Sequence, residues 1–271
     1  MKPPLPGGVV PGEEADMNDL EGRVALVTGA SSGIGRATAT LLAERGARVM
    51  ATGREEDRLR MLADATGVET VAASLDDPAG CETIVARTNE RLGPVSILVN
   101  SAGRGAELDR PIWEQSLEDW RTSMAVNLDA PFLLSKVCAT QMRDAGWGRI
   151  VIVSSTAGQI GAASMSPYCA SKHGVLGLMR SVAHDVGTFG GTCNAVLPGW
   201  VKTTMAQAYV QGEATERGIT PDEVWAEHDA EYPRGSVLQP EEVARVIVWL
   251  ATEEAAAVNG EAVTVALGGL W

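Results

Sequence analysis

From residue 22 onward the chain alternates two hydrophobic rhythms. Short apolar runs, RVALVT (23–28), ARVMAT (47–52), ETVAAS (69–74), SILVN (96–100), RIVIVS (149–154), TCNAVL (192–197) and AVTVA (262–266), have the length and β-branched content of strands buried on both faces. Longer amphipathic stretches between them predict helices, among them 33–45, 79–92, 114–143 and 167–188. This alternation predicts one α/β domain over 20–271, a doubly wound sheet of seven parallel strands with helices on both faces. One stretch, 203–240, breaks the rhythm. It is acidic, holds Tyr209, Trp225 and Tyr232, and has no strand signal. A long excursion of this kind is usually functional, and we expect a substrate lid at about 203–235.

The first sixteen residues hold four prolines and three glycines and no apolar signal-peptide core. Such a segment cannot bury enough surface to order itself. It predicts a flexible extension over 1–19, with Met17 a candidate original start. The net charge of −13 argues against a binder of phosphate backbones. No apolar run is long enough to cross a bilayer. The four cysteines, Cys81, Cys138, Cys169 and Cys193, lack the close pairing of zinc or redox sites. They suggest reduced thiols in a cytoplasmic protein, and we expect no metal, no nucleic acid and no membrane among its partners.

Chemistry enters at TGASSGIG (28–35), between the first strand and the first helix. A glycine-rich turn there lets backbone approach a pyrophosphate seated on the helix N-terminus, which points to a Rossmann-type fold. The spacing is G-x-x-x-G-x-G, and glycine also serves ordinary tight turns, so the turn alone is a weak signal. A second signal is SPYCASKHGV (166–175), which puts Tyr168 and Lys172 four residues apart on one helix face. A packed tyrosine beside a snorkelling lysine accounts for such a pair without chemistry. The alternative is a tuned proton donor. Lowering a phenol from pKa about 10 to about 7 takes about 4 kcal/mol. A unit positive charge at about 4 Å supplies about that much at an effective dielectric of 20.

Taken in order, TGASSGIG, NSAG (100–103), Asn127, Ser155, the Tyr168–Lys172 pair and PGWVKT (198–203) resemble a short-chain dehydrogenase/reductase over roughly residues 20–271. Ser155 precedes Tyr168 by thirteen residues and Asn127 by forty-one. The resemblance implies an oxidoreductase moving a hydride between a nicotinamide dinucleotide and a ketone or secondary alcohol. Tyr168 would exchange the proton, Ser155 would hydrogen-bond the reacting oxygen, Lys172 would lower the tyrosine pKa and hold the ribose, and Asn127 would anchor a relay water. The cofactor would lie along Gly29, Ser31, Ser32, Gly33, Ile34, Gly35, Arg54, Leu75, Asn100, Ala102, Gly103, Tyr168, Lys172, Pro198, Gly199, Val201 and Thr203. Candidate substrate contacts are Arg104, Ala157, Trp200 and Met205. The resemblance also implies a homotetramer paired through 114–143 and 167–188. Val175, Leu176, Leu178 and Met179 nearly encircle their helix, which needs cover from a partner or from the subunit itself.

In dinucleotide folds an acid after the second strand takes the ribose hydroxyls, while an Arg accommodates a 2′-phosphate. Gly53 occupies the acid's place and Arg54 follows, which favours NADP(H). Glu55 and Glu56 keep NAD(H) open, although both suit the first turn of the next helix. Ser101, Ser74 and the ALGG ending (266–269) depart from the family pattern. The substrate is less specified. SPYCASKHGV and Arg104 resemble aromatic polyketide ketoreductases, and GWGRI with the long lid resembles 3-hydroxybutyrate dehydrogenases. Gly105 and Ala157 lack the polar groups a substrate carboxylate needs, and Gly146 and Phe189 lack the basic grip expected for an acidic carrier. A free, partly apolar ketone fits best. An NAD-dependent alcohol or 3-hydroxyacid dehydrogenase is the alternative, and a non-catalytic dinucleotide sensor is disfavoured because Tyr168 and Lys172 are both present.

Overall fold

The computed structural model describes residues 18–105 and 110–269. The strands are β1 (Val24–Thr28), β2 (Arg48–Gly53), β3 (Glu69–Ala72), β4 (Ile97–Asn100), β5 (Arg149–Val153), β6 (Thr192–Pro198) and β7 (Ala262–Val265). They form one sheet in the order β3-β2-β1-β4-β5-β6-β7, parallel at every pairing. Every residue of β1, β4, β5 and β6 is buried, while the edge strands β3 and β7 are partly open.

The period-two alternation of a strand divides its side chains between two cores. Ala25, Val27, Ile97, Val99, Val151 and Val153 face one of them. There they meet α1 (Gly33–Glu44), α2 (Glu56–Thr66) and α9 (Pro240–Leu250) through Leu42, Leu59, Leu62 and Ile247. Leu26, Leu98, Ile150 and Ile152 face the other. That face is covered by α3 (Pro78–Arg91), α5 (Ala130–Ala145) and α6 (Ser166–Gly187) through Ile84, Leu134, Met142 and Met179. The expected doubly wound sheet is therefore present. Its order reverses between β1 and β4, which opens a crevice at the carboxyl ends of these strands.

One expectation needs correction. The single helix expected over 114–143 is interrupted. A 3₁₀ turn (Ile112–Glu114) precedes α4 (Leu117–Met124), capped by Ser116, whose hydroxyl accepts from the Asp119 amide. A π-helical turn (Ala125–Asp129) then separates α4 from α5. The segment expected to lack a strand, 203–235, has none and is mostly helix, α7 (Thr204–Arg217) and α8 (Pro221–Ala230). Thr203 caps α7, and α8 opens with a capping box of Thr220 and Glu223. Amphipathic periodicity is weak in both, so the caps carry the helix signal there.

Most of the expected extension lies outside the described residues. Its last two residues belong with the domain, since Asp19 pairs with Arg45 at 2.5 Å and the next residue, Leu20, is buried in the core. In α6, Val175, Leu176 and Met179 are buried against their own sheet and Leu178 packs beside them. The subunit itself supplies the cover that helix needs. Among the described residues no helix is long and apolar enough to cross a membrane.

Candidate functional site

The crevice floor is built from backbone in close contact. Gly29 has φ +68°, and a Cβ there would lie 2.7 Å from Ala102 Cα. A Cβ on Gly35 would lie 2.4 Å from the Gly29 carbonyl oxygen. Only glycine permits this approach of the β1–α1 turn to the β4 loop and to its own helix. Thr28 joins the same two segments, because its hydroxyl accepts from the amides of Ser101 and Ala102 at 3.1 and 3.0 Å. Ser32, ahead of α1, takes a hydrogen bond from Thr204 at 3.1 Å, and Gly33 faces Thr203. The N-terminus of α1 thus opens between the turn and the start of α7. Asn100, at the end of β4, is buried with neither side-chain atom hydrogen-bonded, so the crevice holds polar capacity that the fold leaves unused.

The π-helical turn sets Asn127, which is 2% exposed, against the β4 loop. Its Oδ1 accepts from the Arg104 amide at 2.8 Å, and its Nδ2 donates to the Arg104 carbonyl and to Ser171 Oγ, both at 3.0 Å. Ser171 in turn donates to the Tyr168 carbonyl at 2.8 Å. Asn127 thereby clasps the β4 loop to the helix carrying Tyr168. A Cβ built on Gly103 would be 3.6 Å from both Asn127 Oδ1 and Lys172 Nζ, so these groups flank one small space.

Ser155 opens a 3₁₀ turn after β5, with its hydroxyl accepting from Ala157 N at 3.1 Å. It also hydrogen-bonds the Tyr168 phenol. Burial raises the phenol above its ordinary pKa, and the Ser155 hydrogen bond partly opposes that. Lys172 is 4% exposed and donates to the Val153 carbonyl at 3.0 Å, with Nζ 5.6 Å from the centre of the Tyr168 ring. Burial pushes the ammonium down to about 8. Desolvation is the leading cause of the shift in both groups.

Arg54 is exposed just past β2 and makes no ion pair among the described residues. Glu55 is committed to Arg58 at 2.9 Å and precedes α2, and Glu56 lies in its first turn. Leu75 packs at the margin of the second core. Met205, 46% exposed in the first turn of α7, reaches across to Gly105, where a Cβ would be 3.3 Å from its sulfur. Ala157 and Arg104 are half-buried along the same mouth. Trp200 is half-buried. It packs against Val210, Ala214 and Val224 of α7 and α8. Thr28 and Ser171 were missed because small hydroxyl residues carry no signal until the fold shows what they join. Among the described residues no cluster of His, Cys, Asp or Glu could hold a metal ion.

The family model described as enoyl-(acyl carrier protein) reductase matches residues 29–269. The chain is 37% identical to the 3-oxoacyl-[acyl-carrier-protein] reductase FabG of Vibrio cholerae, over 93% of this chain and 99% of that one. Among solved structures it resembles a variant of actinorhodin polyketide ketoreductase with NADPH, with a TM-score of 0.86 and 36% identity over 92% of this chain and 98% of that one. Levodione reductase also superposes with a TM-score of 0.86, at 30% identity and the same coverage.

Proposed function

The chain belongs to the short-chain dehydrogenase/reductase family, and from that premise we propose that it is an NADP(H)-dependent ketoreductase acting on a free, partly apolar ketone. The observation that carries this reading is the hydrogen-bonded pair of hydroxyls, Ser155 and Tyr168, beside Lys172 at the mouth of the crevice. Two neighbouring hydroxyls suit a carbonyl oxygen, which has two lone pairs to receive them.

Gly29, Ser31, Ser32, Gly33, Ile34 and Gly35 would hold the pyrophosphate at the N-terminus of α1. Arg54 would meet the 2′-phosphate, Leu75 and Ala102 the adenosine, and Pro198, Gly199, Val201 and Thr203 the nicotinamide half. The unpaired amide of Asn100 and the space at Gly103 fit a polar ligand lying across the β1–β4 switch point. When bound, the dinucleotide supplies the hydride. The protein's part is the oxygen. Ser155 donates to it as negative charge develops, and Tyr168 transfers its hydroxyl proton to it. Lys172 and Asn127, which face each other across Gly103, keep the proton path and the helix in place.

A free ketone is preferred to a carrier-bound one for two reasons. Gly146 ends α5 with φ +67°, a helix-terminating position with no side chain to grip a partner. The net charge of −13 also repels an acidic carrier. We further propose a cytoplasmic homotetramer. All four cysteines are free, buried thiols, as suits a reducing compartment. Leu117 and Trp120 of α4 and Phe132 and Val137 of α5 are exposed and apolar. The test is a panel of ketones and alcohols with NADPH and NADH. Consumption of NADPH by apolar ketones is expected, and no turnover with either cofactor would overturn the reading.

A further inference from the structure

The lid closes on an aromatic cluster. Trp200 lies with its ring 4.0 Å from that of His228 and tilted 28° to it, 5.4 Å from Tyr209 and 6.4 Å edge-on from Trp225. Its backbone is fixed at both ends. The amide donates to the Tyr232 hydroxyl at 2.7 Å, and the carbonyl accepts from Leu238 N at 3.0 Å. Trp200 sits between Gly199 and Val201, so whatever holds its ring also holds the 198–203 segment that walls the crevice.

His228, on α8, holds that ring, and its own environment is unusual. Neither ring nitrogen has a hydrogen-bond partner, and both are shielded from solvent. Yet Nε2 lies 3.8 Å from Glu213 of α7, and Nδ1 lies 3.6 Å from Glu231 at the end of α8. A neutral imidazole has one N–H and can donate to one carboxylate only, whereas an imidazolium donates to both. The other charges around it are accounted for. Arg217 of α7 pairs with Glu213 at 2.6 Å and with Glu227 of α8 at 2.7 Å. Lys202, on the crevice segment, lies over Trp225 at 5.5 Å. Two acceptors placed at two nitrogens, each a few tenths of an ångström beyond hydrogen-bond length, form a receptor for the doubly protonated ring.

We propose that His228 is a positioning residue of the reductase whose protonation tightens the lid: the charged ring bridges Glu213 and Glu231, draws α7 onto α8 and presses Trp200 against the crevice wall. The neutral ring releases at least one carboxylate and the lid loosens. The lid's response does not depend on the reductase reading, whereas its effect on turnover does.

The test has two arms. In the first, hydrogen exchange of residues 204–231 in the ligand-free protein is compared at about pH 6 and about pH 8, corrected for intrinsic rates. Protection should fall roughly threefold to fivefold with rising pH in the wild type, the effect of losing one partly exposed ion pair. It should not change in His228→Gln. The double variant Glu213→Gln/Glu231→Gln keeps the ring and its stacking and should also lose the pH response. In the second arm the wild-type KM for ketone should rise with pH over the same interval by a similar factor, kcat changing less, while His228→Gln shows a flat, raised KM. Because Lys172 titrates nearby in pH, the difference between wild type and variant is the readout. Protection that is independent of pH in the wild type, or a pH response retained in His228→Gln, would overturn the proposal. If no ketone is reduced with either cofactor, the reductase reading fails, and the exchange arm still decides the role of His228.

Discussion

Lys172 Nζ donates to the carbonyl oxygen of Val153 at 3.0 Å, which holds the ammonium against the end of β5. Among the described residues no carboxylate pairs with it, and burial is what moves its pKa from 10.5 down to about 8. The charge is kept in a place that costs stability, beside the ring of Tyr168.

The sign of the pH dependence follows. Between about pH 8 and 10.5 the unfolded chain binds the lysine proton more firmly than the folded one does, so folding stability rises with pH across that window. Below pH 8 the penalty is complete, about 3 kcal/mol by the conversion of about 1.4 kcal/mol per pKa unit. Above about pH 10 the raised phenol of Tyr168 works in the opposite sense, because the unfolded tyrosine ionises first. The buried thiols of Cys81, Cys138 and Cys193, raised by desolvation, also oppose that rise, because the unfolded thiols ionise first. The lysine is therefore read from the difference in urea midpoint between wild type and a variant, which should move in favour of the wild type from pH 8 to 10. In Lys172→Met the removed charge and the orphaned Val153 carbonyl roughly offset each other at pH 7, about 3 against 1–3 kcal/mol. That variant lacks the lysine's contribution and should lose stability more steeply than the wild type over this window. Parallel curves for the two proteins would refute the assignment.

Tyr168→Phe removes one hydroxyl and leaves the packing of α6 in place. Turnover should fall by about 10²–10⁴, the usual contribution of a positioned proton donor, while NADPH binding is unchanged. Retention of more than a few per cent of activity would move the proton donor elsewhere, and Ser155 would be examined next.

How much of this was legible beforehand depended on the kind of signal. The seven strands were readable because each is an apolar run bounded by turns, and the central ones are buried on both faces. Ser155, Tyr168 and Lys172 were readable because a motif fixes their spacing, and the fold brings them together. The break at Asn127 was not. Nothing in MAVNLDAP (124–131) except the proline disturbs a helical pattern, and the π-helical turn is set by the hydrogen bonds of Asn127 to Arg104 and Ser171, which are contacts of tertiary structure. The stack of Trp200 on His228 was not legible either, because an aromatic next to PG can face several ways and the stack is a contact of tertiary structure. The electrostatic argument for Lys172 had the right magnitude but omitted desolvation, which acts on both groups at once.

Assembly is tested on the exposed apolar surface of α4 and α5. Phe132 is 49% exposed and Leu117 61%, and a group of such side chains on adjacent helices points to cover by another copy. Light scattering should give about four times the 28.4 kDa chain mass, and Phe132→Glu should shift the protein to smaller species with its helical content intact. A wild-type monomer at micromolar concentration would exclude the tetramer.

Cofactor choice turns on Arg54. Glu55, the rival for the ribose, is held by Arg58 at 2.9 Å beside the start of α2, whereas Arg54 is exposed past the end of β2 with no ion pair among the described residues. A guanidinium offers paired donors that match a phosphate, and NAD(H) offers it no such charge. A hydrogen bond to a charged group is worth about 1.5–3 kcal/mol. At 1.4 kcal/mol per tenfold, Arg54→Ala should weaken NADPH binding about 10- to 150-fold and leave NADH binding nearly unchanged. Titrating both cofactors into both proteins checks this. Tighter binding of NADH by the wild type, or equal loss of both cofactors in the variant, would return the ribose to Glu55 or give Arg54 a purely structural part.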